Sequence, residues 1–153
     1  MIRYNDENAE KLFILGDFPA YDSHLYDYAI SEILNEFAEN VVAVRGNCDG
    51  FEIDELMNVE LQDVANVEIN GRKITMTHGH LFDKNRLPEN CGEIFFQGHS
   101  HFAEILKMDD KIIANPGSIS RPRNGAEPSY IMFDEEKIQI KNLCGEILQE
   151  MKI

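Results

Sequence analysis

The chain has 153 residues, 43% of them hydrophobic, and this length and composition predict one domain over residues 1–153 with a buried core. Its 28 acidic and 14 basic residues give a net charge of −14, which disfavours an extended nucleic acid or an anionic membrane surface as a partner. The sequence has no signal-peptide core and no apolar run of roughly 20 residues, so we expect a cytoplasmic protein without a membrane-spanning segment.

The first part of the chain predicts a β-α-β unit. Residues 11–17 and 41–47 are apolar runs that each end in glycine followed by a polar side chain, which is typical of buried strands. Between them, apolar residues recur at helical spacing from Leu25 to Phe37. A strand, a helix and a strand in this order predict two parallel strands and a layered α/β fold.

The later part of the chain repeats the strand pattern and adds hairpins. Residues 72–80 and 93–101 again run from apolar residues through glycine to histidine. Turns at 109–110 and 135–136 predict two antiparallel hairpins. The loop between these hairpins, 115–129, is rich in Pro, Gly and Ser, and it interrupts the domain without dividing it.

Side chains at the ends of four predicted strands are candidate metal ligands. They are Asp17, Asn47, His78, His80, His99 and His101. Sites in open α/β sheets lie at the carboxyl ends of the strands, so these residues are expected to converge, and an extended chain would carry His99 and His101 to the same side. Mixed imidazole, carboxylate and amide ligands suit manganese, iron, zinc or nickel, whereas an all-oxygen set would suit calcium or magnesium. Two such ions about 3.5–4 Å apart can clamp a phosphate and activate water.

Five short motifs in chain order carry a family resemblance. They read GD at 16–17, GNCD at 46–49, THGH at 77–80, GHSH at 98–101 and NPGS at 115–118. Together they resemble the motifs of the calcineurin-like metallophosphoesterases, and their residues are closest to those of the YfcE-type bacterial phosphodiesterases. The resemblance implies an α/β fold in which two mixed β-sheets form a sandwich flanked by helices. It also implies an enzyme that hydrolyses phosphodiesters, with a small phosphodiester as its substrate.

The resemblance further implies a role for each matching residue. Asp17 would bridge two metal ions, Asn47, His78 and His99 would complete one metal site, and His101 would belong to the other. The first four of these residues are the expected catalytic residues. In this family a metal-bridging hydroxide attacks the phosphorus, with two divalent ions as cofactors. Mn²⁺ is the expected ion here, and Zn²⁺, Ni²⁺ and Fe²⁺ stay open.

Three further residues are candidates for contact with the substrate. Cys48 stands where many relatives carry a histidine that can serve as the general acid, and a small buried side chain is the alternative. His80 is either a substrate contact or a support for its loop. Arg121 could pair bidentately with a phosphate, or its loop could simply be solvated. Asp49 or solvent could donate the proton in place of Cys48, so the general acid is unassigned.

The N-terminal part of the family pattern has no counterpart in the sequence. Relatives begin with a strand carrying Asp-x-His, whereas residues 1–17 predict the end of a helix followed by the strand that leads to Asp17. We therefore expect an N-terminally truncated domain without the first β-α unit, which holds one metal ion well and a second weakly. Unpaired strand edges would favour a homo-oligomer. The alternative function is a non-catalytic metal-binding or protein-interaction scaffold, like the retromer subunit of this fold.

Overall fold

The computed structural model describes residues 2–18 and 24–153. Within these ranges the helices are α1 (Ile2–Asp6), α2 (His24–Asn35) and α3 (Glu52–Leu56), with a 3₁₀ turn at Ala38–Asn40. The strands are β1 (Leu12–Ile14), β2 (Val41–Val44), β3 (Leu61–Gln62), β4 (Val64–Ile69), β5 (Arg72–Thr77), β6 (Ile94–Gln97), β7 (Glu104–Met108), β8 (Lys111–Asn115), β9 (Ser129–Phe133), β10 (Lys137–Asn142) and β11 (Ile147–Lys152). Among the helices described, none combines the length and the apolar character that crossing a membrane requires.

The described strands form three sheets. Strands β1, β2 and β3 are parallel neighbours in this order. The central five-stranded sheet has the order β4-β5-β6-β8-β7, in which β5, β6 and β8 run parallel and the two edge strands run antiparallel to their neighbours. Strands β9, β10 and β11 form an antiparallel meander. The prediction of an α/β fold with mixed sheets and flanking helices is confirmed.

Most elements agree with the sequence predictions. Strands β1 and β2 pair in parallel with α2 between them in the chain, and the two expected hairpins are β7-β8 and β9-β10. The apolar pattern did not predict β4 or β11. In β4 the apolar residues are interrupted by Asn66 and Glu68, and β11 is an edge strand with almost every residue exposed. Neither strand therefore carries the strong apolar signal of a buried strand.

Two apolar cores hold the layers together. The larger core lies between the five-stranded sheet and the β9-β10-β11 sheet and includes the buried Ile74, Phe96 and Ile140. The Phe96 ring centroid lies 6.4 Å from that of Phe13 and 5.3 Å from that of Phe133, and the latter two are 5.7 Å apart. Each of these three rings belongs to a different sheet, so this aromatic trio fixes the sheets relative to one another. The smaller core packs α2 and α3 against the β1-β2-β3 sheet.

Glu7 joins the segment after α1 to the C-terminal sheet. Its Oε1 accepts a hydrogen bond from Tyr130 Oη at 2.8 Å, and its Oε2 accepts one from Lys141 Nζ at 2.8 Å. The bonds from Lys141 and then from Tyr130 lower the pKa of Glu7, whereas burial and the Glu7 bond raise the pKa of Tyr130 to about 12. The ionised Glu7 carboxylate is therefore part of the folded state at neutral pH.

We predict that Glu7→Gln lowers the free energy of unfolding at neutral pH by about 1 kcal/mol, because a charge-assisted pair of hydrogen bonds is lost. Folding lowers the pKa of Glu7 below its ordinary value of 4.5, so this stabilisation is present above that value and is lost as the pH falls through the folded value. Urea unfolding of the wild type, Glu7→Gln and the exposed control Glu10→Gln would measure it. A deficit of the same size at neutral and strongly acidic pH would contradict the prediction.

Candidate functional site

The candidate ligands lie in loops that follow strands directly. Asp17 and Asn47 each stand three residues beyond the ends of β1 and β2, which run in parallel. His78 follows β5 at once, and His99 stands two residues beyond the parallel neighbour β6. The Gly98 amide donates to the His78 carbonyl at 2.7 Å, which ties the two histidine loops together. Parallel pairing thus brings residues that are far apart in sequence close to one another.

His78 lies at the centre of a cluster of four polar side chains. Its side chain is 2% exposed, and its Nε2 lies 3.1 Å from Asn47 Oδ1, 3.4 Å from Asp17 Oδ2 and 3.2 Å from His99 Nδ1. The structure therefore brings together the four residues that the sequence analysis expected at one metal site. We call this group the His78 cluster.

The carbonyl of Leu15 sets the tautomer of His78. Its oxygen lies 2.6 Å from Nδ1, so Nδ1 carries the proton and donates it, and Nε2 keeps its lone pair. Burial lowers the pKa of His78, against the opposing effects of the Leu15 bond and the Asp17 carboxylate, and this favours the neutral ring. The lone pair of His78 Nε2 thus faces the Asp17 carboxylate and the Asn47 amide oxygen. A cation would be attracted to these electron-rich atoms.

The backbone at three candidate ligands is left-handed. The φ angle is 58° at Asp17, 61° at His99 and 56° at His101. The expectation that His99 and His101 follow an extended strand end is therefore wrong, because both residues turn the chain sharply. The His101 Nδ1 donates to the Arg121 carbonyl at 2.8 Å, which places the substrate candidate Arg121 beside this histidine. Such strained residues persist only where the surrounding contacts hold them, and they are common at functional sites.

Glycine at two positions allows the loops after β1 and β2 to touch. Gly16 has a φ angle of 85°, and a Cβ atom there would lie 2.5 Å from the Gly46 amide nitrogen. A Cβ atom at Gly46 would lie 2.2 Å from Asp17 Oδ1. A side chain at either position would therefore displace the two loops, which explains the glycines of the GD and GN patterns.

The carboxylate of Asp49 holds the same two loops together. It is buried and accepts backbone hydrogen bonds from Asp17 at 2.9 Å, Phe18 at 2.8 Å and Gly46 at 2.6 Å. Burial raises the pKa of Asp49, and the bonds from the three amides oppose this effect. This positioning role was not predicted from the sequence. The available signal was the GNCD spacing, which puts a carboxylate two residues after the candidate ligand Asn47.

The other two substrate candidates, Cys48 and His80, adjoin the His78 cluster. The Cys48 amide donates to Asp17 Oδ1 at 2.9 Å, and the Cys48 Sγ accepts a hydrogen bond from Asn47 Nδ2 at 3.3 Å. The second of these bonds leaves Asn47 Oδ1 directed at His78. His80 is exposed, and its ring centroid lies 5.3 Å from that of His78. Both residues are thus within reach of a molecule bound at the cluster.

The donor atoms of the cluster suit a divalent transition metal. Carboxylate, amide and imidazole donors fit manganese, iron, zinc or nickel. Donors held about 2.1 Å from one ion lie about 3.0–3.4 Å apart, which is the spacing between His78 Nε2 and its three neighbours. In residues 2–18 and 24–153, no three His, Cys, Asp or Glu side chains are grouped as a metal site. The donor set also includes the amide oxygen of Asn47, 3.1 Å from His78 Nε2.

Comparison with known proteins places the chain among phosphoesterases. The family model described as calcineurin-like phosphoesterase superfamily domain matches residues 2–137. The chain is 35% identical over 149 residues to Phosphodiesterase YfcE of Escherichia coli (strain K12), covering 90% of this chain and 79% of that protein. It is 30% identical over 152 residues to Phosphodiesterase MJ0936 of Methanocaldococcus jannaschii, covering 94% of this chain and 87% of the relative.

One solved structure gives the same result, and a second shares the fold. The structure of Yfce, a phosphoesterase from E. coli, matches with a TM-score of 0.88 at 29% identity, over 98% of this chain and 87% of that one. Vacuolar Protein Sorting 29 from Cryptosporidium parvum matches with a TM-score of 0.70 at 20% identity, over 100% of this chain and 88% of that one. This second likeness shows the fold alone. The resemblance carried by the five motifs is confirmed.

We predict that Asp49→Asn destabilises the protein by about 2 kcal/mol, because the amide offers one accepting oxygen fewer and points a donor at a backbone N–H. Asp63→Asn is the matched control, since it makes the same change at an exposed position and should shift stability by less than about 0.5 kcal/mol. Urea unfolding of both variants measures the difference. Equal stability of the two variants would contradict the role of Asp49 in joining the loops.

Proposed function

Because the chain belongs to the calcineurin-like phosphoesterase superfamily, we propose that it is a metal-dependent phosphodiesterase that acts on small phosphodiesters. The observation that carries this proposal is the convergence of Asp17, Asn47 and His99 on His78 Nε2. Two relatives that the chain matches over at least 90% of its length are named phosphodiesterases, which supports the same reaction here. A single phosphodiester also suits the acidic chain better than a nucleic-acid backbone does.

The His78 cluster holds the divalent ion in this proposal. Its donors are Asp17, Asn47, His78 and His99, with Mn²⁺ as the preferred ion and Zn²⁺, Ni²⁺ or Fe²⁺ as alternatives. When bound, the ion polarises a phosphoryl oxygen and lowers the pKa of water. His101 would serve a second, more weakly held ion, with Nε2 as its ligand atom because its Nδ1 donates to a carbonyl.

Neighbouring residues orient the ligands and the substrate. The Cys48 amide holds Asp17 Oδ1, which leaves Asp17 Oδ2 directed at His78. The exposed His80 lies beside His78, where it contacts the phosphate or the leaving oxygen. The guanidinium of Arg121 adds a bidentate contact to the phosphate. The substrate thus meets one imidazole and one guanidinium that are not needed to hold the metal.

We predict that the purified chain hydrolyses bis(p-nitrophenyl) phosphate when Mn²⁺ is added and loses this activity on chelation. Asp17→Asn should lower kcat/KM by about a hundredfold or more, because a neutral amide holds a cation more weakly than a carboxylate does. Asp63→Asn makes the same change at an exposed position and should keep the activity. Initial rates of p-nitrophenolate release measure the effect, and circular dichroism checks that each variant folds.

Two results would count against this proposal. Turnover that survives chelation or the Asp17→Asn change would show that the reaction does not depend on a metal at the His78 cluster. A folded chain that Mn²⁺ stabilises but that releases no p-nitrophenolate would favour the non-catalytic scaffold.

Substitution of two neighbouring histidines should separate metal binding from substrate binding. His99→Gln should remove most of the increase in Tm that Mn²⁺ produces, because it deletes the ring nitrogen 3.2 Å from His78. His80→Gln should keep that increase and raise KM, because His80 contacts the substrate in our proposal. An ion at about 100 times its Kd stabilises a protein by about 2.7 kcal/mol, so thermal unfolding will resolve the difference. Equal loss of the Mn²⁺ effect in both variants would contradict these assignments.

A further inference from the structure

A cavity of about 270 Å³ opens beside the His78 cluster. Its wall includes His99 of that cluster, the backbone of Gly98 and the ring of Phe102. The Gly98 amide also bonds to the His78 carbonyl, so the cavity wall and the cluster belong to one pair of hydrogen-bonded loops. A group attached to a phosphate at the cluster can therefore enter this cavity.

The inner wall of the cavity presents hydrogen-bond donors. Gln97 is only 5% exposed, and its Oε1 accepts a hydrogen bond from the Lys84 amide at 2.8 Å, which fixes the orientation of its amide group. The Gln97 Nε2 donates to no other group in the part of the chain that the structure describes. Ser100 Oγ accepts a hydrogen bond from Asn115 Nδ2 at 3.0 Å, so its hydroxyl proton can be donated into the cavity. A ligand with hydrogen-bond acceptors would therefore satisfy the donors in this wall.

The charges around the cavity disfavour an anionic ligand group. Lys84 Nζ is paired with the two carboxylate oxygens of Glu104 at 2.7 and 2.9 Å. Asp83 also lines the cavity, and its Oδ1 accepts hydrogen bonds from the amides of Asn85 and Arg86. Lys84 contributes one positive charge and Asp83 and Glu104 contribute two negative charges, so the net charge of the cavity wall is negative. A neutral group that carries acceptors therefore fits better than a second phosphate or carboxylate.

Phe102 supplies an aromatic face to the same cavity. It is 47% exposed, and within residues 2–18 and 24–153 it belongs to neither apolar core. An exposed aromatic ring beside hydrogen-bond donors can stack on a planar base or on the C–H face of a sugar. A volume of about 270 Å³ has room for one such ring with its substituents.

We infer that this cavity binds a neutral ring carrying hydrogen-bond acceptors, either a nucleobase or a sugar, that is joined to the phosphate of the substrate. This inference rests on the proposed phosphodiesterase activity and specifies the substrate class. The ring stacks on Phe102 and accepts hydrogen bonds from Gln97 Nε2 and the Ser100 hydroxyl, while the phosphate lies at the His78 cluster. Diesters that carry such a ring are therefore preferred over diesters of simple alcohols.

Three diesters with a common leaving group test this preference. Each is a p-nitrophenyl phosphate ester whose second alcohol is methanol, thymidine (through its primary hydroxyl) or glucose (through its primary hydroxyl). In each reaction a water oxygen bonds to phosphorus, p-nitrophenolate leaves with the electrons of the broken P–O bond, and the water protons pass to the product phosphate and the buffer. The kcat/KM of a ring ester should exceed that of the methyl ester about tenfold. A preference for thymidine alone identifies a base, whereas a preference for glucose identifies a sugar.

Substitution of Phe102 tests whether the cavity causes this preference. Phe102→Ala should bring the kcat/KM of a ring ester down close to that of the methyl ester. The ratio of the two kcat/KM values is the readout, because general damage near His101 would lower both of them. Phe51→Ala is the matched control, since Phe51 is 85% exposed and lies outside the cavity wall. Equal rates for all three esters in the wild type, or an unchanged ratio in Phe102→Ala, would overturn the inference.

The methyl ester separates failure of this inference from failure of the proposed function. Its turnover tests the phosphodiesterase activity without a ring in the cavity. If no ester is hydrolysed, amide chemical shifts during titration with thymidine and with glucose test the cavity directly. Saturable shifts at Gly79 and Gly98 that disappear in Phe102→Ala support ring binding, and their absence from the wild type overturns it.

Discussion

The buried carboxylate of Asp49 is the constraint on which the candidate site depends. A carboxylate taken out of water is costly unless donors satisfy it, and here the amides of Asp17, Phe18 and Gly46 do so. These donors belong to the loops after two different strands, so one anion fixes both loops and keeps Asp17 in its left-handed conformation. The position of the Asp17 carboxylate is therefore set by the backbone, before any contact with His78 is made.

The sheets then bring this pair of loops to the histidines. Phe13, Phe96 and Phe133 pack together from three sheets, and Phe13 and Phe96 lie on β1 and β6, the strands that lead to Asp17 and His99. Close packing of large rings allows few alternative arrangements, so the strand ends are held at fixed separations. The carbonyl of Leu15 links the loop after β1 to the loop after β5, because it accepts a hydrogen bond from His78 Nδ1 and so selects the tautomer of His78. The apolar core thus determines which nitrogen faces the ligands.

The sequence predicted the buried strands, which have an apolar periodicity. It did not predict the backbone conformation of the loops that follow them. Buried runs followed by glycine and a polar residue located β1, β2, β5 and β6, because a buried strand needs a continuous apolar segment. The same pattern could not show that His99 and His101 adopt positive φ angles, since nothing in a strand's periodicity describes the turn after it. The role of Asp49 was also missed, because the GNCD spacing places a carboxylate after Asn47 but does not show which backbone amides it meets. The cavity beside Phe102 is formed by two segments, 79–84 and 97–104, and neither carries a sequence signature of it.

The electrostatics of the chain support the proposal that a cation takes part in substrate binding as well as in the chemistry. The net charge of −14 repels a phosphodiester at long range, and the His78 cluster adds a carboxylate, an amide oxygen and an imidazole lone pair. All three groups are electron-rich, so by themselves they would also repel the phosphate oxygens at close range. A divalent ion held among them would reverse the local potential while the surrounding surface stayed acidic. Such a surface disfavours polyanions and favours a single phosphate joined to neutral groups, which is the kind of substrate that we propose for the neighbouring cavity.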